Sequence, residues 1–233
     1  MLPEGDSMTS KRLLPLLVLL IAALLSPGCA SGPPPTLVEQ GEAALAVGDW
    51  RSAKTHFAAA LRGDQRDGRA WLGQARAQLA GRDPEGALRS LTSLSRVDRA
   101  LFVGEARATY AEGLAEATRH RLDREQSEAA LIAVRALAKL EPNRRDLRPL
   151  LGRALVGEAT RKRWRGEREA ALGLYREACQ VVPDNLEAWV GAAEILIEFK
   201  QGKEAMRLLE IARRAHPTAG QIRTLTIQAL SLR

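Results

Sequence analysis

The sequence is 233 residues long, enough for one domain or one array of repeats. Hydrophobic residues make up 45% and charged residues 27%, which excludes wholesale disorder, while aromatics reach only 4% and disfavour a β-sandwich or barrel. The formal net charge is +7, and Glu4, Asp6, Lys11 and Arg12 cancel, so the whole excess follows the amino-terminal segment. All but 6 of the 35 basic residues are arginines, whose planar fork suits carboxylates and phosphates and also pairs within helices. Charge of this kind admits anionic partners without naming a site.

At the amino terminus, Lys11-Arg12 precedes the apolar run Leu13–Leu25, which is 13 residues long. A membrane-spanning helix needs about 20, so the run reads as the apolar core of a secretory signal peptide. It ends Leu25-Ser26-Pro27-Gly28-Cys29-Ala30. These residues resemble the lipobox of bacterial lipoproteins. The resemblance implies cleavage after residue 28, diacylglycerol on Cys29 and a thiol unavailable to Cys179. Ser31-Gly32-Pro33-Pro34-Pro35 follows as a short, stiff tether. Expected boundaries are therefore a signal peptide at 1–28 and a lipidated tether at 29–36. Ala30 and Ser31, by resemblance to lipoprotein sorting rules, imply delivery to the outer membrane, facing the periplasm.

Beyond the tether, five stripes recur at helical spacing. They are Ala53, Phe57 and Ala60; Ala87, Leu91 and Leu94; Ala130, Val134 and Leu137; Ala171, Tyr175 and Ala178; and Ala205, Leu209 and Ala212. Five residues past each stripe stand Gln65, Arg99, Pro142, Pro183 and Pro217. The small residue admits a neighbouring helix, the larger one a turn later fills the gap, and proline stops the helix. Turns at Gly48-Asp49-Trp50, Gly81-Arg82-Asp83-Pro84 and Gln201-Gly202-Lys203 separate each stripe from a preceding amphipathic segment. Trp71 and Trp189 mark the start of that segment in two units, and Gly41 stands within it in the first.

This pattern resembles the tetratricopeptide repeat, a helix–turn–helix unit of 34 residues. The resemblance implies an all-α, right-handed solenoid of about five helix–turn–helix repeats over 37–217. The repeats fall near 34–67, 68–101, 102-144, 145-185 and 186-219, with a capping helix at 220–233. Successive stripes are 34, 43, 41 and 34 residues apart. The two long spacings predict lengthened first helices over Leu101–Leu122 and Leu147–Trp164, or an extra turn before them. Ile222, Leu225, Ala229 and Leu232 form the buried stripe of the cap.

No catalytic or metal-ligating constellation stands out. His56, His120 and His216 fall in different repeats, and neither a phosphate-cradling glycine loop nor a zinc-binding H-E-x-x-H occurs. The expectation is a chain that is not an enzyme, with no cofactor and no metal. In the resembled family, first helices line a concave groove. Carried onto this sequence, the exposed groove positions include Arg69, Leu72, Arg76, Glu112, Arg119, Arg153, Val156, Arg163, Trp164, Glu187, Glu194 and Glu198. The groove would be basic in its middle and acidic at its far end, with arginines clamping partner carboxylates and Trp164 either stacking on a partner side chain or packing a repeat junction.

The function expected is that of a membrane-anchored periplasmic scaffold for protein–protein interaction in envelope assembly. Its architecture is similar to lipoprotein pilotins and to lipoproteins of the barrel-assembly machinery. The alternative is an adaptor or regulator of peptidoglycan or lipopolysaccharide enzymes that lays a basic surface on anionic polymer. The partner is a protein or peptide of the cell envelope together with the membrane through the lipid anchor. Nucleic acid is disfavoured by the export signal.

Overall fold

The computed structural model describes residues 33–232. The apolar run Leu13–Leu25, the cleavage site and Cys29 lie outside the described residues. The chain divides after Pro35, and the fold concerns the unit that begins at Thr36. Among the described residues there are twelve helices and no strand. None of those helices is long and apolar enough to cross a membrane.

The helices pair in chain order. α1 (Leu37–Ala46) packs on α2 (Trp50–Gly63), and α3 (Gly68–Ala80) on α4 (Pro84–Val97). A short α5 (Arg99–Val103) precedes α6 (Arg107–Asp123), which pairs with α7 (Ser127–Leu140). α8 (Leu147–Trp164) pairs with α9 (Arg168–Val181), α10 (Leu186–Glu198) with α11 (Gly202–Ala215), and α12 (Gly220–Leu230) closes the array against both α10 and α11. Each first helix also touches the first helix of the next unit: α1 on α3, α3 on α6, α6 on α8 and α8 on α10. That face is the inner face of the stack.

Local chemistry sets the helix starts. Thr36 and Glu39 form a capping box, and Asp49, Asp67, Asp83, Asp98 and Asn185 each accept from a backbone N–H three residues on. Trp71 and Trp189 donate their indole N–H to the carbonyls of Gln65 and Pro183 at 2.9 and 2.8 Å. Each tryptophan thus ties the start of its helix to the connection entering the unit.

One residue in each intra-repeat turn takes a left-handed backbone: Gly48, Arg82, Glu125, Gly166 and Lys200. This turn reverses the chain between antiparallel helices, and only two of the five positions carry the glycine that adopts it without strain. The last turn therefore falls at Lys200, and Gly202 already belongs to α11, which corrects the turn expected at Gln201-Gly202-Lys203.

The two long spacings are absorbed differently. α8 is one helix over Leu147–Trp164, as its apolar pattern predicts. The stretch predicted as one helix over Leu101–Leu122 is broken, because Gly104 leaves helical geometry (ψ −99) after α5 and α6 begins only at Arg107. Both the extra turn and a long first helix are present there.

The five stripes are the core. Fourteen of their fifteen residues are buried; Ala60 is half-buried and the adjacent Leu61 is buried instead. Phe57 shows how tightly helices approach. Its ring lies where a Cβ on Gly41 of α1 would come within 2.7 Å and one on Gly73 of α3 within 2.2 Å. Tyr175 meets Gly191 of α10 in the same way, at 2.4 Å. One hydrophobic cluster runs from α6 to α12, a smaller one centres on α3, α4 and Ala106, and the smallest joins Ala53, Phe57 and Ala77. Apolar stabilisation is thus spread along the array and thinnest at its start.

Candidate partner-binding groove

The inner face of α8, α10 and α12 carries three adjoining hollows. The first, about 550 Å³, is bordered by Glu125, Arg153, Val156, Thr160, Trp164 and Glu187. The second, about 590 Å³, shares Thr160, Trp164 and Glu187 with it and adds Arg163, Tyr175, Val190 and Glu194. The third, about 470 Å³, shares Arg163, Glu194 and Glu198 with the second and continues to Gln221, Leu225 and Gln228 on α12. Together they make a continuous groove.

Trp164 ends α8 and stands between the first two hollows, 87% exposed. It packs no repeat junction. Thr160, one turn earlier on the same helix, is hydrogen bonded to the hydroxyl of Tyr175 at 2.8 Å. That bond fixes the wall behind Trp164, and burial pushes the Tyr175 phenol above its usual range despite it.

The arginines of this face are engaged by the protein's own carboxylates. Arg163 binds Glu194 and also Glu198, the latter at 2.5 Å, while Arg168 holds the other oxygen of Glu198 at 2.8 Å. Burial would raise the Glu198 carboxyl, but these two guanidinium groups outweigh it and hold the group below its ordinary value. Arg161 grips the buried Glu158 with two bonds of 2.6 and 2.7 Å and reaches Glu128 of α7 at 2.9 Å. Arg153 faces Asp123 at 3.5 Å. The expectation of a basic groove centre with arginines free to clamp a carboxylate is therefore corrected. Stacking the repeats brings acids of one unit against the arginines of its neighbour, and the charges neutralise each other.

Of the predicted site residues, Arg153, Val156, Arg163, Trp164 and Glu194 come together along this groove, as do Glu187 and Glu198. Val156 borders the first hollow but is itself only 4% exposed, so it serves as floor. Leu72 is 3% exposed within the cluster around α3 and α4, so its expected place on an open face is corrected. Leu72 packs with Leu91 and Leu94 of α4, while Arg69 and Arg76 remain exposed. Arg76 pairs with Glu105 at 3.1 Å. Arg119 lines a separate hollow beside His120, Glu112 and Glu116, and is bound to Glu116 and Asp146.

Thr160, Glu125 and Arg168 join the groove without having been predicted there, as does Tyr175, which the repeat pattern places only in the core. Thr160 lies one turn before Trp164 and was recoverable from helical spacing. Glu125 reaches the groove through its left-handed turn, which nothing local announces. Among the described residues no group of three or more His, Cys, Asp or Glu could hold a metal ion. Cys179 is buried in α9, and desolvation pushes its thiol up to about 12.

Two family models, each described as tetratricopeptide repeat, match residues 38–94 and 165–228, together just over half of the chain. No curated protein sequence matches. Among solved structures, the chain is similar to a TPR repeats protein from Bacteroides fragilis, at 13% identity and a TM-score of 0.55 over 84% of this chain and 97% of that one. It is also similar to a thermophilic TPR protein from Thermus thermophilus, at 22% identity and a TM-score of 0.35, covering 84% of this chain and 97% of that one. Against a chain of the APC/C hetero-tetramer Cut9-Hcn1 it shows 15% identity and a TM-score of 0.39, covering 92% of this chain but only 46% of the other.

Proposed function

This chain is a tetratricopeptide repeat protein, and from that premise we propose that it is a lipid-anchored scaffold of the bacterial outer membrane. It faces the periplasm and holds a segment of another envelope protein during envelope assembly. The observation that carries the binding role is Trp164, a large aromatic left 87% exposed between two hollows of a continuous groove. An exposed aromatic beside concave surface is the kind of group that anchors protein–protein contacts. The anchor rests on the sequence around Cys29 and the apolar run before it. The alternative, a basic surface laid on anionic polymer, draws little support from this groove, because Arg161, Arg163 and Arg168 are tied to carboxylates.

Two measurements test the reading. Radiolabelled palmitate should enter the full chain and be absent from Cys29→Ser; equal labelling refutes the anchor. Crosslinking in intact envelopes should yield an adduct with the wild-type chain that falls at least several-fold in Trp164→Ala. An unchanged adduct pattern refutes the groove.

A further inference from the structure

The groove holds a charge asymmetry that goes beyond the scaffold role and rests on it. Each arginine that borders the first two hollows, Arg153, Arg161, Arg163 and Arg168, has a carboxylate of the same chain within 3.5 Å. Lys162, on the same turn, is paired with Glu167 at 2.5 Å. Arg165 makes no ion pair among the described residues, but it caps α8 and borders neither hollow.

The acids are not all matched in return. Glu125 and Glu187 are exposed, border the groove and make no ion pair among the described residues. Glu187 borders both hollows, as does Trp164. The site where the hollows meet thus presents an open indole face, an unneutralised carboxylate and the hydroxyl of Thr160.

An indole face attracts a cation through its ring quadrupole, and a nearby carboxylate pairs with the same group. Trp164 also ends an 18-residue helix, whose carboxyl end carries partial negative charge. An incoming carboxylate would instead meet Glu125 and Glu187, with Arg161, Arg163 and Arg168 already bound to carboxylates of the chain and only Arg153 held loosely, 3.5 Å from Asp123, and like charges set side by side disfavour a partner. The groove continues on both sides of this point, so it accommodates an extended chain.

We infer that the partner is a basic peptide segment, an extended stretch of another protein that seats an arginine or lysine side chain between Trp164 and Glu187 and runs along the inner face of α8 and α10. This reverses the polarity that the arginine-rich sequence suggests.

The test uses the full chain in a neutral detergent and two blocked twelve-residue peptides on one Ala-Ser-Leu frame. One carries arginine at three alternate central positions and the other carries glutamate there. Binding is read by calorimetry at low salt. The arginine peptide should bind at least about ten-fold more tightly, a difference of the size expected of one desolvated cation–π and ion-pair contact. The advantage should shrink at least about three-fold in Trp164→Ala and in Glu187→Gln, and fall further in Glu187→Lys; an advantage unchanged in all three overturns the inference. Glu187 is exposed, and circular dichroism verifies that each variant keeps its helices. Equal affinities, no binding of either peptide, or preference for the glutamate peptide overturns the inference. A glutamate preference that is lost in Trp164→Ala sinks only the polarity and leaves the scaffold reading standing, whereas envelope crosslinking that ignores Trp164 sinks the groove itself.

Discussion

Phe57→Ala should unfold the first helix pair and leave the rest of the array folded. The ring is fully buried and faces the glycine backbones of α1 and α3 at Gly41 and Gly73, which offer no side chain to relax into the space it leaves. Lost transfer energy of about 2 kcal/mol plus an unfilled cavity puts the cost toward the upper part of the usual ~3–5 kcal/mol for Phe→Ala. The pair has little else to hold it, since its cluster contains only Ala53 and Ala77 besides the ring, with partly buried Val38, Ala44 and Leu45 around it. At an ordinary ~0.05–0.15 kcal/mol per residue, the stretch Thr36–Gly63 contributes about 1.5–4 kcal/mol. The loss matches or exceeds that share. Hydrogen exchange read by mass spectrometry should show residues 36–63 losing protection while α6–α12 keep theirs, because each repeat leans only on its neighbours. Tyr175→Ala, in the long cluster, should instead lower protection on α8 to α11. Uniform loss across the array in Phe57→Ala, or undiminished protection in α1 and α2, would refute the reasoning.

Three further outcomes follow from particular residues. Gly166 and Lys200 occupy the same left-handed turn position, so Gly166→Ala should cost about 1 kcal/mol while Lys200→Gly gains about 0.5 kcal/mol in urea unfolding. Equal effects of one sign would show that the turn is not strained. Acid should weaken the array. The Glu85 carboxyl is lowered by hydrogen bonds from Arg121, and Asp146 is lowered by Arg144 and Arg119 against the opposing effect of burial, as Glu198 is by Arg163 and Arg168. Folded values below the unfolded ones of 3.8 and 4.5 mean that their stabilisation is complete at neutral pH and is lost as pH falls through the folded values. The thermal midpoint should hold from pH 7 to about 5 and drop below about 4; a flat profile to pH 3 would contradict this. Finally, in a Cys29→Ser chain, Cys179 should react with a disulfide reagent at pH 8 only after urea is added, since burial pushes its thiol up to about 12. Rapid labelling of the folded chain would show that α9 opens there.

Much of the fold was legible because its determinants are local and periodic. The stripes from Ala53 to Ala212, the indoles of Trp71 and Trp189 and the aspartates before the helices each act within a few residues of themselves. A spacing of four and three then places apolar groups on one helical face whatever lies elsewhere. The long spacings were visible as numbers, but not their form. The break at Gly104 comes just before Ala106, which is buried in the cluster around α3 and α4, a contact between units.

The groove residues divide along the same line. That Trp164 follows a run of basic residues is written in the chain, as is the amphipathic helix that carries it. Its exposure, and the neutralisation of Arg163 by acids 31 and 35 residues away, depend on how α8 stacks on α10. Sequence alone determined the repeat, the pairing of helices within it and all but the broken stretch at Gly104, since backbone propensity and apolar period need no distant partner. Tertiary structure alone decided which charges remain free, because an ion pair is a matter of a few ångströms between units, and Coulomb attraction at that distance outweighs any count of arginines along the chain.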